Sequence, residues 1–82
     1  MARPPRVTLL TRAGCGLCAP AREAMGRVAA ATGVGWRELD VDTDDELAME
    51  YGDRLPVVLL DGAEHGYWKV EEERLIGDLG RG

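Results

Sequence analysis

The chain has 82 residues, a formal net charge of −5 and two cysteines. That length sets one domain over residues 1–82, near the lower limit for burying a core of its own. The hydrophobic share of 45% argues against disorder. No apolar run approaches the roughly 18 residues that cross a bilayer. The one near the start, Val7 to Leu10, falls short of the ~7–15 residues of a secretory signal. No membrane partner is expected, and the chain reads as a cytoplasmic monomer.

Val7-Thr-Leu-Leu-Thr11 is a β-prone run bounded by Pro5 and the turn at Gly14, and reads as a central strand. From Leu17 onward, Leu17, Ala21, Ala24, Met25, Val28 and Thr32 recur every three or four residues. They form one helix face, with Arg22, Glu23 and Arg27 on the other. Glu23 and Arg27 stand at a stabilising i,i+4 spacing, and Gly33 ends the helix. Trp36 to Val41 alternates as a second strand. Thr43-Asp-Asp-Glu46 has the pattern of a capping box for a short helix that carries Leu47 and Tyr51 and stops at Gly52.

Pro56-Val-Val-Leu-Leu60 is a second continuous apolar run, expected as a buried strand. Asp61-Gly62 after it is a hairpin signal, because such a turn needs positive φ. A short antiparallel strand through Tyr67 and Trp68 should follow, and Glu71 to Leu79 closes the chain as a helix with Leu75, Ile76 and Leu79 inward. The first two strands and their connecting helix form a right-handed βαβ unit and so must be parallel. The expected fold is α/β: a four-stranded mixed sheet, a βαβ unit then a β-hairpin, flanked by three helices.

Charge is unevenly spread. Residues 1–37 hold six arginines and one acid, net +5, whereas residues 38–82 hold four bases and fourteen acids, net −10. The acidic half reads as a solvated surface, and with no tight arginine cluster a nucleic-acid partner is disfavoured. The two cysteines, Cys15 and Cys18, would close too small a loop to act as a strong staple. They are not expected to serve stability.

Cys15-Gly-Leu-Cys18 falls at the junction of the first strand and first helix. There, free backbone N–H groups and the helix dipole favour a thiolate, and Arg12 adds positive charge nearby. Helical spacing puts Cys18 about one turn on, within reach of the Cys15 sulfur. The expectation is an exposed, attacking Cys15 and a more buried, resolving Cys18. Gly14 and Gly16 leave the nucleophile uncrowded. Pro20 falls within the first turn, where its missing N–H costs little.

A strand ending in Thr11-Arg12-Ala13-Gly14, followed by Cys-x-x-Cys opening a helix, resembles the thioredoxin superfamily, specifically glutaredoxin-like proteins. Arg54-Leu55-Pro56-Val57 is similar to that superfamily's cis-proline signature, and Asp61-Gly62 to its hairpin; together the likeness spans Val7 to Leu79. The resemblance implies a thioredoxin-like fold and a thiol–disulfide oxidoreductase with Cys15 as nucleophile and Cys18 as resolving thiol. It also implies a cis bond before Pro56 and a Leu55 backbone that pairs with an extended substrate strand. Arg12, Gly16, Leu17, Leu55, Pro56, Tyr67 and Trp68 would line the substrate groove, with Lys69 beside them.

The implied partners are a disulfide-containing protein substrate and an electron donor, and no bound cofactor is required. Dithiol glutaredoxins hold the glutathione carboxylate with a Gly-Gly pair; here that stretch is Gly66-Tyr67-Trp68. Pro-Val-Val, Asp-Gly and a Trp before the last helix are as similar to small redoxins reduced by thioredoxin reductase. The donor is therefore open between glutathione, another low-molecular-weight thiol and a reductase.

Two other readings compete. The Cys pair could bind zinc, or an iron–sulfur cluster in a dimer, but a structural zinc takes four ligands and His65 is the only histidine. No metal site is expected. A non-catalytic thioredoxin-fold adaptor is the other. His65 reads as an exposed hairpin residue, and Trp36 and Trp68 as partly buried packing.

Overall fold

A computed structural model describes residues 5–80. The elements are β1 (Val7–Thr11), α1 (Cys18–Thr32), β2 (Trp36–Asp40), a 3-10 turn (Val41–Thr43), α2 (Asp45–Tyr51), β3 (Val57–Leu60), β4 (Ala63–Tyr67) and α3 (Glu72–Gly80). The strands form one mixed sheet in the order β2-β1-β3-β4. β1 runs parallel to β2, with Val7 opposite Trp36 and Thr11 opposite Asp40. It runs antiparallel to β3, with Val7 opposite Leu60 and Leu10 opposite Val57. All five β1 residues are buried, as a central strand covered on both faces requires.

Alternation along the strands divides the core in two. Val7, Leu9 and Val58 pack with Ala21, Ala24, Met25 and Val28 of α1 and Leu75 and Leu79 of α3. On the other face only Leu10, Val41 and Val57 are fully buried, with Leu47 and Tyr51 of α2 packed partly against them. Gly33 caps α1 in the left-handed region (φ 73°), and its N–H donates to the Ala29 carbonyl. Asp61 (φ 52°) and Gly62 (φ 85°) make the hairpin turn expected of them.

Two local expectations are corrected. Asp44, not Thr43, caps α2: its carboxylate accepts from the Glu46 and Leu47 amides. The Thr43 hydroxyl is already used, donating to the Asp40 carbonyl inside the 3-10 turn. Arg27 makes a two-pronged pair with Glu72 at 2.9 and 3.0 Å, tying α1 to α3, and the Glu23 charge one turn earlier in its own helix favours the same cation.

His65 is the second. Leu59 pairs with Glu64 and Val58 with Gly66, so His65 is the extra residue of a β-bulge. The bulge turns its imidazole inward, leaving the side chain 6% exposed with Nε2 2.7 Å from Asp78 Oδ2. Arg74 of α3 donates to the His65 carbonyl, with its guanidinium lying against the ring. The residue expected to be exposed instead pins α3 to the sheet edge.

Candidate active site at one end of the sheet

The strand register gathers four chain segments at one end of the sheet. β1 exits there through Arg12 into the Cys-x-x-Cys loop, and β2 exits opposite Thr11 into the 3-10 turn. β3 enters there, so Pro56, one residue before Val57, comes abreast of Thr11. β4 leaves there, because Tyr67 pairs with Val57 and Trp68 follows it.

Cys15 and Cys18 are joined as a disulfide with their Cα atoms 5.5 Å apart. α1 begins at Cys18, so Cys15 stands three residues before it in a turn. Its N–H donates to the Arg12 carbonyl, and its carbonyl accepts from the Cys18 amide. Cys18 is 1% exposed and Cys15 only partly buried, an asymmetry that leaves the first sulfur the approachable one. Leu17, the residue before α1, supplies no capping side chain, and no acid occupies the first turn. The positive end of α1 is therefore not neutralised by its own cap or first turn.

Arg12 turns away toward α2: its guanidinium lies 3.0 Å from Asp42, and a Cβ at Gly52 would stand 3.3 Å from it. Beneath the loop, Glu38 of β2 accepts from Thr11 at 2.8 Å and from Arg22 at two positions, both 2.8 Å. Arg22, and secondarily Thr11, hold the Glu38 carboxyl below the usual carboxylate range against the opposing effect of burial.

The Leu55–Pro56 bond is cis, and Pro56 is buried. Its carbonyl accepts from the Trp68 amide at 2.8 Å. Trp68 holds φ 67°, a left-handed conformation costly for a bulky side chain. Its ring is 57% exposed and stacks edge-to-face on Tyr67 with centroids 5.0 Å apart. The expectation of a partly buried packing tryptophan holds for Trp36, which lies against the larger core cluster, but not for Trp68.

Leu17 and Trp68 come together in a groove of about 300 Å³, with Pro20, Ala21, Ala24 and Val70 as its apolar lining and Lys69, Arg27 and Glu72 at its edge. Tyr67 contributes to a neighbouring depression with His65, Glu71 and Arg74, and Arg12 to neither. Gly16 is exposed and Leu55 partly buried. Pro20, Ala21 and Ala24 were legible only as helix; that their face meets Trp68 depends on the β4 exit, which no local pattern encodes. Among the described residues no group of three or more His, Cys, Asp or Glu comes together as a metal site, and no helix is long and apolar enough to cross a membrane.

A mixed sheet with a Cys pair at the β1–α1 junction and a cis proline at the start of β3 is the thioredoxin-like fold. A thioredoxin from Fasciola hepatica superposes with a TM-score of 0.58 at 25% identity, covering 92% of this chain and 77% of that one. The chain belongs to the glutaredoxin-like domain family (DUF836), whose model matches residues 6–80. An uncharacterized protein of Mycobacterium tuberculosis is 46% identical over 94% of this chain and 84% of its own length. A structural genomics target protein from X. campestris has a TM-score of 0.72 at 29% identity, covering 93% and 97% of the two chains.

Proposed function

We propose that the protein is a thiol–disulfide oxidoreductase that reduces disulfides through the Cys15/Cys18 dithiol. The observation that carries this reading is the disulfide itself: it joins an approachable sulfur to a buried one at an uncapped helix start. In the reduced protein the Cys15 thiolate attacks a substrate disulfide. One Cys15–substrate S–S bond forms as the substrate S–S bond breaks, and the first substrate thiolate leaves. Cys18 then loses its proton to the medium and attacks the Cys15 sulfur. The second substrate thiolate departs, the Cys15–Cys18 bond closes, and two electrons have passed to the substrate.

The amides and dipole at the start of α1 stabilise the attacking thiolate, which takes the place a capping side chain would occupy. Leu55, Pro56 and Trp68 form the wall along which an extended substrate lies, with Gly16 and Leu17 on the other side. Arg12, held by Asp42, fixes the exit of β1 and with it the start of the Cys loop. Tyr67 supports the Trp68 ring. The chemistry needs no bound cofactor; an external low-molecular-weight thiol or a reductase returns the electrons.

The test is trapping. With a protein disulfide as substrate, Cys18→Ser should accumulate a mixed disulfide through Cys15, identified by mass, and Cys15→Ser should form none. Trapping through Cys18 instead would reverse the assigned roles. An alkylation rate at Cys15 no faster than that of a free thiol near neutral pH would remove the physical basis of the proposal.

A further inference from the structure

Lys69 is the chain's only lysine and stands exposed at the edge of the groove beside the Cys pair. It makes no hydrogen bond or ion pair within the described residues. The other cations near it are occupied. Arg27 is held by Glu72, Arg54 by Asp53 and Glu64, and Arg12 by Asp42. Arg74 is held at His65. Of the neighbouring acids, Glu72 is engaged with Arg27, and Glu71 shares the adjoining depression with Lys69 and Arg74 but forms no ion pair with Lys69.

Trp68, the residue before Lys69, is restrained in its left-handed conformation by its hydrogen bond to the Pro56 carbonyl. Positions held at a conformational cost concentrate where a surface has a task. That restraint fixes where the Trp68 ring and the start of Lys69 emerge relative to the cis-proline wall.

We infer that Lys69 selects protein disulfides in which an acidic residue flanks the attacked cysteine, with the apolar groove between Leu17 and Trp68 receiving the uncharged residue next to it. The inference rests on the disulfide-exchange reading above and names its substrate class. The chain's net charge of −5 does not oppose it at close range. At physiological salt, exposed charges are screened beyond about 8 Å, so a contact ion pair outweighs acids that lie farther off than that.

The experiment uses three disulfide-linked peptide probes of identical sequence except for Glu, Gln or Lys beside the cysteine. Relative kcat/KM is read for the wild type, Lys69→Met and Lys69→Glu. An exposed pair gained in one probe and a like-charge contact in another should give the wild type about a fivefold preference for the Glu probe over the Lys probe. The preference should fall toward one in Lys69→Met and reverse in Lys69→Glu. In 1 M salt, where screening acts within about 3 Å, it should shrink in the wild type as well.

A wild-type ratio near one, or a ratio unchanged in Lys69→Glu, overturns the inference while the oxidoreductase reading stands. A ratio near one with saturable turnover of glutathione disulfide would assign Lys69 to a small thiol's carboxylate and overturn it too. No turnover even of the uncharged Gln probe would overturn the oxidoreductase reading, and this inference with it.

Discussion

The two faces of the sheet are unequally sealed, and truncating one leucine on each should show it. Leu75 of α3 is fully buried in the larger cluster, which contains ten buried residues. Leu47 of α2 is only partly buried against a cluster of three. Removing a buried leucine side chain costs about 2–5 kcal/mol through lost transfer energy and the remaining cavity. Leu75→Ala should therefore lose about 3 kcal/mol, whereas Leu47→Ala should lose about 1 kcal/mol, because part of the removed surface already meets water and its neighbours form a smaller cluster.

A domain of this size has only about 4–12 kcal/mol in total, so the first loss is a large fraction of it. In thermal unfolding followed by circular dichroism, the shifts should be about 10–25 °C for Leu75→Ala and about 4–8 °C for Leu47→Ala. Amide exchange in the wild type should show α2 opening well below the global unfolding free energy, and α1 close to it. Equal losses in the two variants, or α2 amides protected as strongly as those of α1, would refute a core divided in this way.

Acid should weaken the fold through three carboxylates. Arg22 holds Glu38 below its ordinary range, Arg6 does so for Asp61, and Arg27 for Glu72. Folded values lowered in this way give stability that is present above the ordinary carboxylate range and lost as pH falls through the lowered values. The thermal midpoint should be flat from pH 7 to about 5 and fall below about 4; a midpoint that rises on acidification would contradict this.

Two substitutions test the left-handed residues. A Cβ at Gly33 would meet nothing within 4 Å, so Gly33→Ala should cost about 1 kcal/mol in urea unfolding purely through its φ of 73°. Trp68→Gly should be at least as stable as Trp68→Ala, by up to about 1 kcal/mol, since glycine alone is free of the penalty at φ 67°. The reverse order would show that the ring, not the backbone, dominates there.

The succession of strands and helices and the helix faces were legible because each rests on a periodicity or a glycine that local sterics enforce. Val7 to Thr11 and Pro56 to Leu60 are continuous apolar runs, and only a two-sided burial uses such runs. What stayed hidden depends on contacts between distant segments. The bulge that turns His65 inward is a property of how β4 pairs with β3, and nothing in Ala63 to Tyr67 alone announces it. Thr43 and Asp44 are both good caps. The choice fell to Asp44 because the preceding turn had already taken the Thr43 hydroxyl. Arg12 was legible as a charge beside the cysteines, but its partner, Asp42, lies thirty residues on.

The same register that collects the Cys loop, Pro56 and Trp68 at one end of the sheet puts the Asp61-Gly62 hairpin turn at the other. There Val7 faces Leu60 and Trp36, and the Asp61-Gly62 turn is clipped to Arg6 at 2.9 and 3.0 Å. An opposed geometry of this kind separates tolerance from function along a strand of five residues. Added length at the Asp61-Gly62 turn lies a full strand away from Cys15 and Cys18, whereas a single inserted residue between Thr11 and Cys18 displaces them. The protein thus offers a natural place to carry a label, a tether or a fused partner without entering the groove.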